Sequence, residues 1–177
     1  MRSTDLLLHV ARSWRQLPSP ARRVRAGLSG GLDSTVLLHV LACLRPLLGF
    51  ELAACHVRHG LVSGSEARAD ICLALCDQLE VPLAVRDVQV DRRHSGGLEA
   101  AAREARRAAL LGFGDDWLAL AHHRDDQAET VLFRAIRGTG VRGAGGMRAA
   151  VPGRGAAGVW RPLLDVSRHE LLAYAKA

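Results

Sequence analysis

The chain has 177 residues, a length typical of one domain or of one domain with a short extension. Its 24 basic residues exceed its 18 acidic ones and give a net charge of +6, which favours an acidic partner such as a nucleic acid or a polyphosphate. Arginine, alanine and glycine are abundant and are also the residues of GC-rich codons, so the charge alone does not identify that partner.

Lysine use is more informative than net charge. The single lysine is Lys176, so none is available to any motif before it. This excludes a Walker-type phosphate loop, which requires Gly-Lys-Ser/Thr, and it excludes Schiff-base and Ser-x-x-Lys chemistry over the same region.

The cysteines and the apolar segments indicate the cellular compartment. Cys43, Cys55, Cys72 and Cys76 lie in apolar runs without C-x-x-C spacing, which predicts buried structural thiols in a reducing, cytoplasmic compartment. The apolar core of the N-terminus, Leu6 to Ala11, is too short for a signal peptide, although its arginine-rich flanks leave a transit peptide as an alternative. No segment has the length of a membrane span.

Apolar periodicity predicts strands that alternate with helices over most of the chain. The predicted helices are Asp5 to Gln16, Ser34 to Leu48, Ser65 to Leu79, Leu98 to Leu111 and Asp125 to Arg137. The predicted strands are Val24 to Leu28, Leu52 to Val57, Pro82 to Val88 and Trp117 to Ala121. Each strand is followed by a helix of crossover length. We therefore expect an α/β fold, a doubly wound parallel sheet with helices on both faces.

The pattern changes after Gly138. Five glycines within residues 138–146 predict a mobile loop, and the turn-rich stretch Pro152 to Gly158 predicts a hairpin before a helix that starts at Ser167. We expect a catalytic domain over residues 1–147. Residues 148–177 are expected to form the hairpin and the start of a helical segment that is truncated within a longer protein.

The first candidate site follows the first strand and reads Ser29-Gly30-Gly31-Leu32-Asp33-Ser34. Paired glycines allow backbone amides to approach an oxyanion, serines add donors, and the start of a helix carries partial positive charge. The alternative is an ordinary turn in which Asp33 or Ser34 caps the helix. The spacing does not fit the G-x-G-x-x-G of dinucleotide-binding folds.

The second candidate site, residues 122–130, follows the fourth strand and reads His-His-Arg-Asp-Asp-Gln-Ala-Glu-Thr. Asp126 and Glu129 are three residues apart, and Asp125 and Glu129 four apart, so they share a helical face that suits Mg²⁺. Alternatively, the aspartates only complement the helix dipole. Ligands of parallel sheets bind outside the carboxyl ends of the strands, which favours a functional role.

Two weaker candidates lie on the remaining elements. Arg103, Arg106 and Arg107 follow Glu99 on one predicted helix, where they form either a solvated ion pair or a clamp for phosphate or RNA backbone. His56 ends the second strand beside the first, where an adenine ring has room to stack.

The string from Ser29 to Ser34 resembles the signature of the PP-loop ATP pyrophosphatases, in which the loop holds the pyrophosphate portion of ATP and the substrate becomes adenylated. Several further segments resemble those of the bacterial isoleucine-tRNA lysidine synthases, a longer family with additional tRNA-binding domains. They are His56 to Leu61, Glu99 to Arg103, His122 to Met147, Arg161 to Leu164 and Ser167-Arg168. Two departures, Arg58 where asparagine is common and Arg107 where tyrosine is common, bear on substrate contacts.

The resemblance implies an ATP-dependent ligase that joins free L-lysine to the wobble cytidine of isoleucine tRNA through an adenylated cytidine, releasing AMP and pyrophosphate. It implies that ATP is bound by Ser29, Gly30, Gly31, Leu32, Asp33, Ser34 and His56. Asp33, Asp126 and Glu129 are the implied Mg²⁺ ligands and, with Arg103, the implied catalytic residues. His122 is a further candidate base. A homodimer is a further expectation.

Two alternatives remain at this point. One is a PP-loop tRNA 2-thiolation enzyme, although such enzymes commonly use paired C-x-x-C cysteines, which this chain lacks. The other is a non-catalytic fragment that binds nucleotide or RNA.

Overall fold

The computed structural model describes residues 3–19, 21–58, 65–91, 93–138 and 145–177. The strands in these ranges are β1 Arg23–Gly27, β2 Glu51–Arg58, β3 Leu83–Asp87, β4 Trp117–Ala119, β5 Ala150–Val151 and β6 Gly158–Trp160. The helices are α1 Ser3–Arg15, α2 Leu32–Leu48, α3 Ser65–Gln78, α4 Gly97–Leu111, α5 Arg124–Ile136 and α6 Arg168–Ala175.

The strands form one six-stranded sheet in the order β3-β2-β1-β4-β6-β5. Every neighbouring pair is parallel except β5 and β6, which form an antiparallel pair at one edge. In the centre of the sheet, Ala26 of β1 pairs with Ala54 of β2 and with Ala119 of β4. The predicted α/β class with a mostly parallel sheet is confirmed.

The strand order creates a switch point between β1 and β4. The strands β2 and β3 are added on one side of β1, whereas β4 and β6 lie on its other side. At such a point the connections that leave neighbouring strands diverge to opposite faces of the sheet and open a crevice at the carboxyl ends. The segments after β1 and β4, which contain the two main motifs of the sequence, therefore become neighbours.

One face of the sheet carries the main hydrophobic core. Fully buried side chains from α1, α2 and α6, including Leu6, Leu38 and Leu171, pack there against the sheet. Trp160 of β6 joins this core, and its Nε1 donates a hydrogen bond of 2.9 Å to Ser13 Oγ. Burial of a large aliphatic side chain contributes about 1.5–3 kcal/mol, so this core dominates the stability.

The opposite face has a much smaller core. Cys55 of β2, Leu110 of α4 and Leu118 of β4 form it, with Phe113 and Leu120 packed at its margin. Successive strand residues point to opposite faces, so Ala54 belongs to the main core whereas Cys55 belongs to the small one. Helices thus cover both faces, as the sequence predicts. The face with the small core is less completely filled and leaves space between the sheet and its helix.

The element boundaries agree with the predicted ones to within a few residues. The largest functional difference is α2, which begins at Leu32, two residues before the predicted start. Its N-cap is Gly31 in an extended conformation, without a side-chain cap. The predicted start of α6 is confirmed, since the hydroxyl of Ser167 accepts a hydrogen bond from the Glu170 amide and caps the helix.

The segment 148–177 contains the predicted hairpin, β5 and β6, and the predicted helix α6. Strand β6 pairs with β4, and Leu163 and Leu171 lie in the main core. The division at residue 147 stays a prediction, and these contacts favour one continuous unit. Of the predicted mobile loop, residues 139–144 lie outside the described part of the chain.

The cysteine prediction is right for three positions and wrong for one. Cys55, Cys72 and Cys76 are buried free thiols, and burial raises the pKa of Cys55 and Cys76 to about 11. Cys43 is exposed on α2, 3.8 Å from His39 Nδ1 one turn earlier. An apolar run on a helix turns about 100° per residue, so one member of the run can face solvent.

In the described residues, no helix has both the length and the apolar character that crossing a membrane requires.

Candidate active site

A cavity of about 690 Å³ lies at the carboxyl ends of β1, β2, β4 and β6. Among the described residues its walls carry seven arginines and three carboxylates. The carboxylates are Asp33, Asp126 and Glu129, and the arginines are Arg58, Arg68, Arg103, Arg106, Arg107, Arg134 and Arg161. This mixture of charges suits a ligand that is anionic in one part and cationic in another.

The loop from Ser29 to Ser34 is shaped by its own hydroxyl groups. The hydroxyl of Ser34 donates to the carbonyl of Gly31 at 3.0 Å and accepts from the backbone N–H of Ser29 at 3.1 Å. Ser29 Oγ lies 3.0 Å from Ser34 Oγ and accepts from the Gly31 amide at 3.3 Å. These short-range bonds fix the shape of the loop, and Ser29, Asp33 and Ser34 line the cavity.

Gly30 has two physical reasons to be glycine. Its φ is +79°, in the left-handed region that disfavours side chains, and a Cβ there would lie 3.3 Å from Cys72 Sγ and 3.5 Å from the carbonyl oxygen of Arg68. The loop therefore packs directly on α3. A larger residue at this position would displace the backbone that faces the cavity.

The start of α2 presents unoccupied backbone donors to this loop. With Gly31 as the N-cap and no side-chain cap, the first amides of the helix, at Leu32, Asp33 and Ser34, have no carbonyl one turn earlier to bind. The alternative in which Asp33 or Ser34 caps the helix is not what the structure has. Leu32 packs its side chain on the main core, so only its backbone can serve an anion.

His123 connects the two motifs. It is 6% exposed, and its ring nitrogens lie 3.7 Å from Asp33 Oδ2, 3.5 Å from Asp125 Oδ2 and 3.6 Å from Asp126 Oδ2. Asp126 Oδ2 also accepts a hydrogen bond of 2.9 Å from the backbone N–H of His123, which fixes the start of α5. The imidazole of His123 thus lies between the segment after β1 and the segment after β4.

A protein-family model described as the PP-loop domain matches residues 6–177. This chain belongs to the PP-loop family. The match covers the loop, the sheet and the second motif, so the resemblance drawn from Ser29 to Ser34 is confirmed.

Relatives of known name are similar over most of this PP-loop chain. The tRNA(Ile)-lysidine synthase of Aromatoleum aromaticum is 51% identical over 159 residues, which cover 90% of this chain and 37% of the relative. The tRNA(Ile)-lysidine synthase of Nitrosomonas europaea is 39% identical over 176 residues, which cover 98% of this chain and 38% of that protein. The PP-loop chain therefore spans less than two fifths of the length of these relatives.

Two solved structures share the fold at low sequence identity. The U34-tRNA thiolase NcsA from Methanococcus maripaludis superposes with a TM-score of 0.79 at 19% identity, covering 98% of this chain and 62% of its own. The NH3-dependent NAD synthetase from Campylobacter jejuni gives a TM-score of 0.57 at 16% identity, covering 99% of this chain and 73% of its own. At these identities the likeness concerns the fold alone.

The carboxylates of this PP-loop domain separate into two groups. Asp33, Asp126 and Glu129 line the cavity, as the sequence predicts. Asp125 instead accepts a hydrogen bond of 2.8 Å from the backbone N–H of Arg168, which lowers the pKa of Asp125. Asp125 thus ties α5 to α6, and the predicted pairing of Asp125 with Glu129 as cation ligands is not supported by this contact.

The carboxylates that line the cavity could hold a divalent cation together with the phosphates of a bound ligand, but not by themselves. In the described residues, no three His, Cys, Asp or Glu side chains form a ready metal site. Asp33 Oδ1, however, is buried and has no hydrogen-bond partner there. Mg²⁺ in proteins is typically held by one or two carboxylates together with substrate phosphates and water, and the Asp33 carboxylate beside the PP-loop fits that arrangement.

His122 faces the same cavity, and its surroundings lower its pKa. Burial lowers its pKa first, and the positive charges of Arg161, Arg106 and Arg103 lower it further, against the opposite effect of Asp126. The imidazole is therefore neutral at physiological pH. Its Nδ1 is buried without a hydrogen-bond partner among the described residues, so a bound ligand can engage it.

Arginines enter the cavity from several elements. Arg103, Arg106 and Arg107 come from α4 as predicted, and Arg103 also lies 3.7 Å from Glu99 in an exposed ion pair that contributes little. No sequence motif predicts a site role for Arg68, Arg134 or Arg161. The rule that ligands bind at the carboxyl ends of strands would have found Arg161, because it follows β6 directly.

His56 is positioned by the loop more than by the cavity. It is 5% exposed, and its Nδ1 lies 2.8 Å from the carbonyl oxygen of Leu28 and 3.5 Å from Cys72 Sγ. These contacts support the backbone that enters the PP-loop. His56 still lines the cavity, so its predicted place beside an adenine stays a prediction.

Gln127 was missed by the sequence analysis. Its side-chain amide donates to the carbonyl of Met147 at 2.9 Å and accepts from the Met147 amide at 2.6 Å. A Cβ on Gly146 would lie 2.5 Å from the end of the Gln127 side chain, so a larger residue there would displace that side chain. This pair of bonds holds the segment at Met147 against α5, beside the cavity wall.

Proposed function

We propose that this domain catalyses the ATP-dependent ligation of lysine to the wobble cytidine of an isoleucine tRNA. The observation that carries the proposal is the meeting of the PP-loop, the free amides of α2 and the carboxylates Asp33 and Asp126 in one cavity. The names of the relatives at about 50% identity supply the substrate class.

ATP binds with its phosphates on the PP-loop. The amides at the start of α2 are suited to donate to these phosphates, Ser29 and Ser34 line the cavity, and each helix-end contact with an anion is worth about 0.3–2 kcal/mol. Several converging donors are therefore needed. The adenine lies toward β2, where His56 lines the cavity.

In the first step the O2 atom of the cytosine attacks the α-phosphorus of ATP. A new P–O bond forms, the bond to the leaving pyrophosphate breaks, and the cytidine becomes adenylated. Arg103 supports the negative charge on the α-phosphate, and backbone amides of the PP-loop hold the pyrophosphate. Mg²⁺, held by Asp33 with support from Asp126 and Glu129, would neutralise charge on the leaving pyrophosphate.

In the second step the side-chain amine of lysine attacks C2 of the adenylated cytidine. A C–N bond forms, the C2–O2 bond breaks, AMP departs with that oxygen, and the amine releases a proton. With an ordinary amine pKa near 10.4, deprotonation at neutral pH costs about 4.6 kcal/mol. Asp33, Asp126, Glu129 and neutral His122 are the groups beside the cavity that can take the proton.

The remaining substrate contacts follow from charge. The exposed arginines Arg106 and Arg107 of α4 suit the phosphates of a tRNA, which gain from multiple cationic contacts.

The free thiols of the described part are consistent with a protein of the cytoplasm, the compartment in which tRNA is modified. A homodimer stays a prediction.

The test is mass spectrometry of tRNA nucleosides after incubation with ATP and isotope-labelled lysine, using the protein at its natural length. The expected result is a cytidine heavier by one labelled lysine residue, with one AMP released for each product. Sulfur incorporation without lysine would favour a PP-loop thiolase instead. Binding of ATP and tRNA without AMP formation would favour a non-catalytic binding module.

A further inference from the structure

Arg161 is an arginine whose polar contacts are incomplete. It follows β6 at the carboxyl end of the sheet, is partly buried, and lines the cavity. Its Nη1 donates to the carbonyl of Arg148 at 3.0 Å, whereas its Nε is buried without a hydrogen-bond partner among the described residues. The guanidinium is thus anchored at one nitrogen and unsatisfied at another.

The charge of Arg161 is also uncompensated. In the described ranges no carboxylate lies within 4.0 Å of it, and its electrostatic neighbour is another cation, Arg107. Burial and this neighbour lower the pKa of Arg161. A partly buried guanidinium in such surroundings gains strongly from an anion, and the neutral ring of His122 nearby provides none.

The place of Arg161 in the sheet separates it from the phosphates of ATP. The PP-loop follows β1, and β6 lies two strands away across β4. At a strand spacing of about 4.8 Å, Arg161 starts roughly 10 Å from the end of β1. Because one cavity extends from the PP-loop to Arg161, a second anion can bind at Arg161 while the phosphates of ATP lie on the PP-loop.

We propose that Arg161 binds the α-carboxylate of the amino acid and selects an amino acid over a simple amine. This proposal rests on the proposed function. A guanidinium binds a carboxylate through two parallel hydrogen bonds, which gives both strength and orientation. The exposed arginines of α4 remain available to tRNA phosphates, whereas the partly buried Arg161 suits a small anion that enters the cavity.

The experiment compares L-lysine with cadaverine, which is lysine without its carboxylate, in the wild-type protein and in Arg161→Met. Both are supplied at matched concentrations with ATP and tRNA, and the products differ by the mass of carbon dioxide. Arg161→Met is expected to lower kcat/KM for lysine by about 10- to 100-fold and to change that for cadaverine by less than about twofold. Arg161→Lys should retain part of the preference for lysine.

Arg154→Met is the matched control, because Arg154 is exposed in the turn between β5 and β6 and does not line the cavity. It should leave both reactions unchanged. Equal losses for lysine and cadaverine in Arg161→Met would assign Arg161 to ATP, tRNA or folding and would overturn the proposal, as would no loss for either. If the wild-type protein forms no amine adduct at all, the proposed function itself fails and this role fails with it.

Discussion

His123 Nε2 lies 3.7 Å from Oδ2 of Asp33, although the two residues come from segments 90 positions apart in the sequence. Asp33 belongs to the first turn of α2, directly after the PP-loop, and His123 precedes α5. Because β1 and β4 are neighbours in the sheet, the two segments leave it side by side. The buried imidazole therefore lies beside a carboxylate whose second oxygen, Oδ1, has no hydrogen-bond partner among the described residues.

Asp33→Ala removes this carboxylate from the cavity. We expect it to lower tRNA- and lysine-dependent AMP formation by about 100-fold or more, because the group serves cation binding or proton transfer in the proposed reaction. AMP and pyrophosphate release are the measurements. Asp77→Ala, an exposed position on α3, is the control and should retain full turnover. Unchanged AMP formation in Asp33→Ala would contradict the assignment.

Gly30→Ala tests the geometry of the PP-loop. The left-handed φ of +79° costs a residue with a Cβ about 1–2 kcal/mol, and contact with Cys72 Sγ at 3.3 Å adds to it. We expect lower stability in denaturant unfolding together with weaker ATP binding by calorimetry. Gly155→Ala is a matched control, because Gly155 has φ +74° with open space around it. Gly155→Ala should lose only the stability that the left-handed φ costs, with no change in ATP affinity. A parallel loss of affinity in both variants would contradict a local role for Gly30.

Gln127→Ala removes both hydrogen bonds that hold Met147. The Met147 amide then loses its acceptor, so its hydrogen exchange should accelerate by about 3- to 10-fold, as expected for loss of one ordinary hydrogen bond. Exchange followed by mass spectrometry or NMR gives the rate. Gln78→Ala at the exposed end of α3 should leave that amide unaffected. Equal protection of Met147 in wild type and Gln127→Ala would show that other contacts hold the segment.

Acid sensitivity should depend on Asp116. Its carboxylate accepts hydrogen bonds from the backbone N–H groups of Arg23 and Arg22 at 2.9 and 2.8 Å, and these bonds lower its pKa below the ordinary value of 3.8. A depressed folded-state pKa means that the stabilisation is fully present above pH 3.8 and is lost as the pH falls through the lower folded-state value.

Asp116→Asn keeps an oxygen acceptor but cannot titrate. Its unfolding free energy should therefore fall less steeply than that of the wild type between about pH 4 and about pH 2. This range begins near the ordinary carboxyl pKa and extends below it. Denaturant midpoints measured at several pH values give both slopes. Identical slopes in the two proteins would mean that the bonds to β1 do not favour the charged carboxylate.

Local features of the sequence were sufficient for much of the site. The glycines, serines and apolar run around Gly30 predict a strand, a tight turn and a helix start, and all three are present. The acidic residues at the start of α5 were likewise found, because Asp126 and Glu129 lie within one helical turn. These features depend on backbone sterics and on helix geometry, which operate over a few residues.

Contacts between distant segments were not predictable in the same way. The exposed position of Cys43, the diversion of Asp125 to Arg168 and the bond pair between Gln127 and Met147 each depend on which helix or segment lies beside which. Periodicity shows that a face is apolar, but it does not name the partner of that face.

The sequence by itself thus determined the α/β class, the PP-loop and the carboxylates that follow the fourth strand. The tertiary structure decided that β4 lies beside β1 and that β6 lies beyond β4, and so that Asp33, His122 and Arg161 face one cavity. The reason is that short-range patterns fix the conformation of each segment, whereas strand order follows from burial of the whole sheet between its helices. Because of that order, Arg161, which follows β6 two strands from β1, lines the same cavity as the PP-loop.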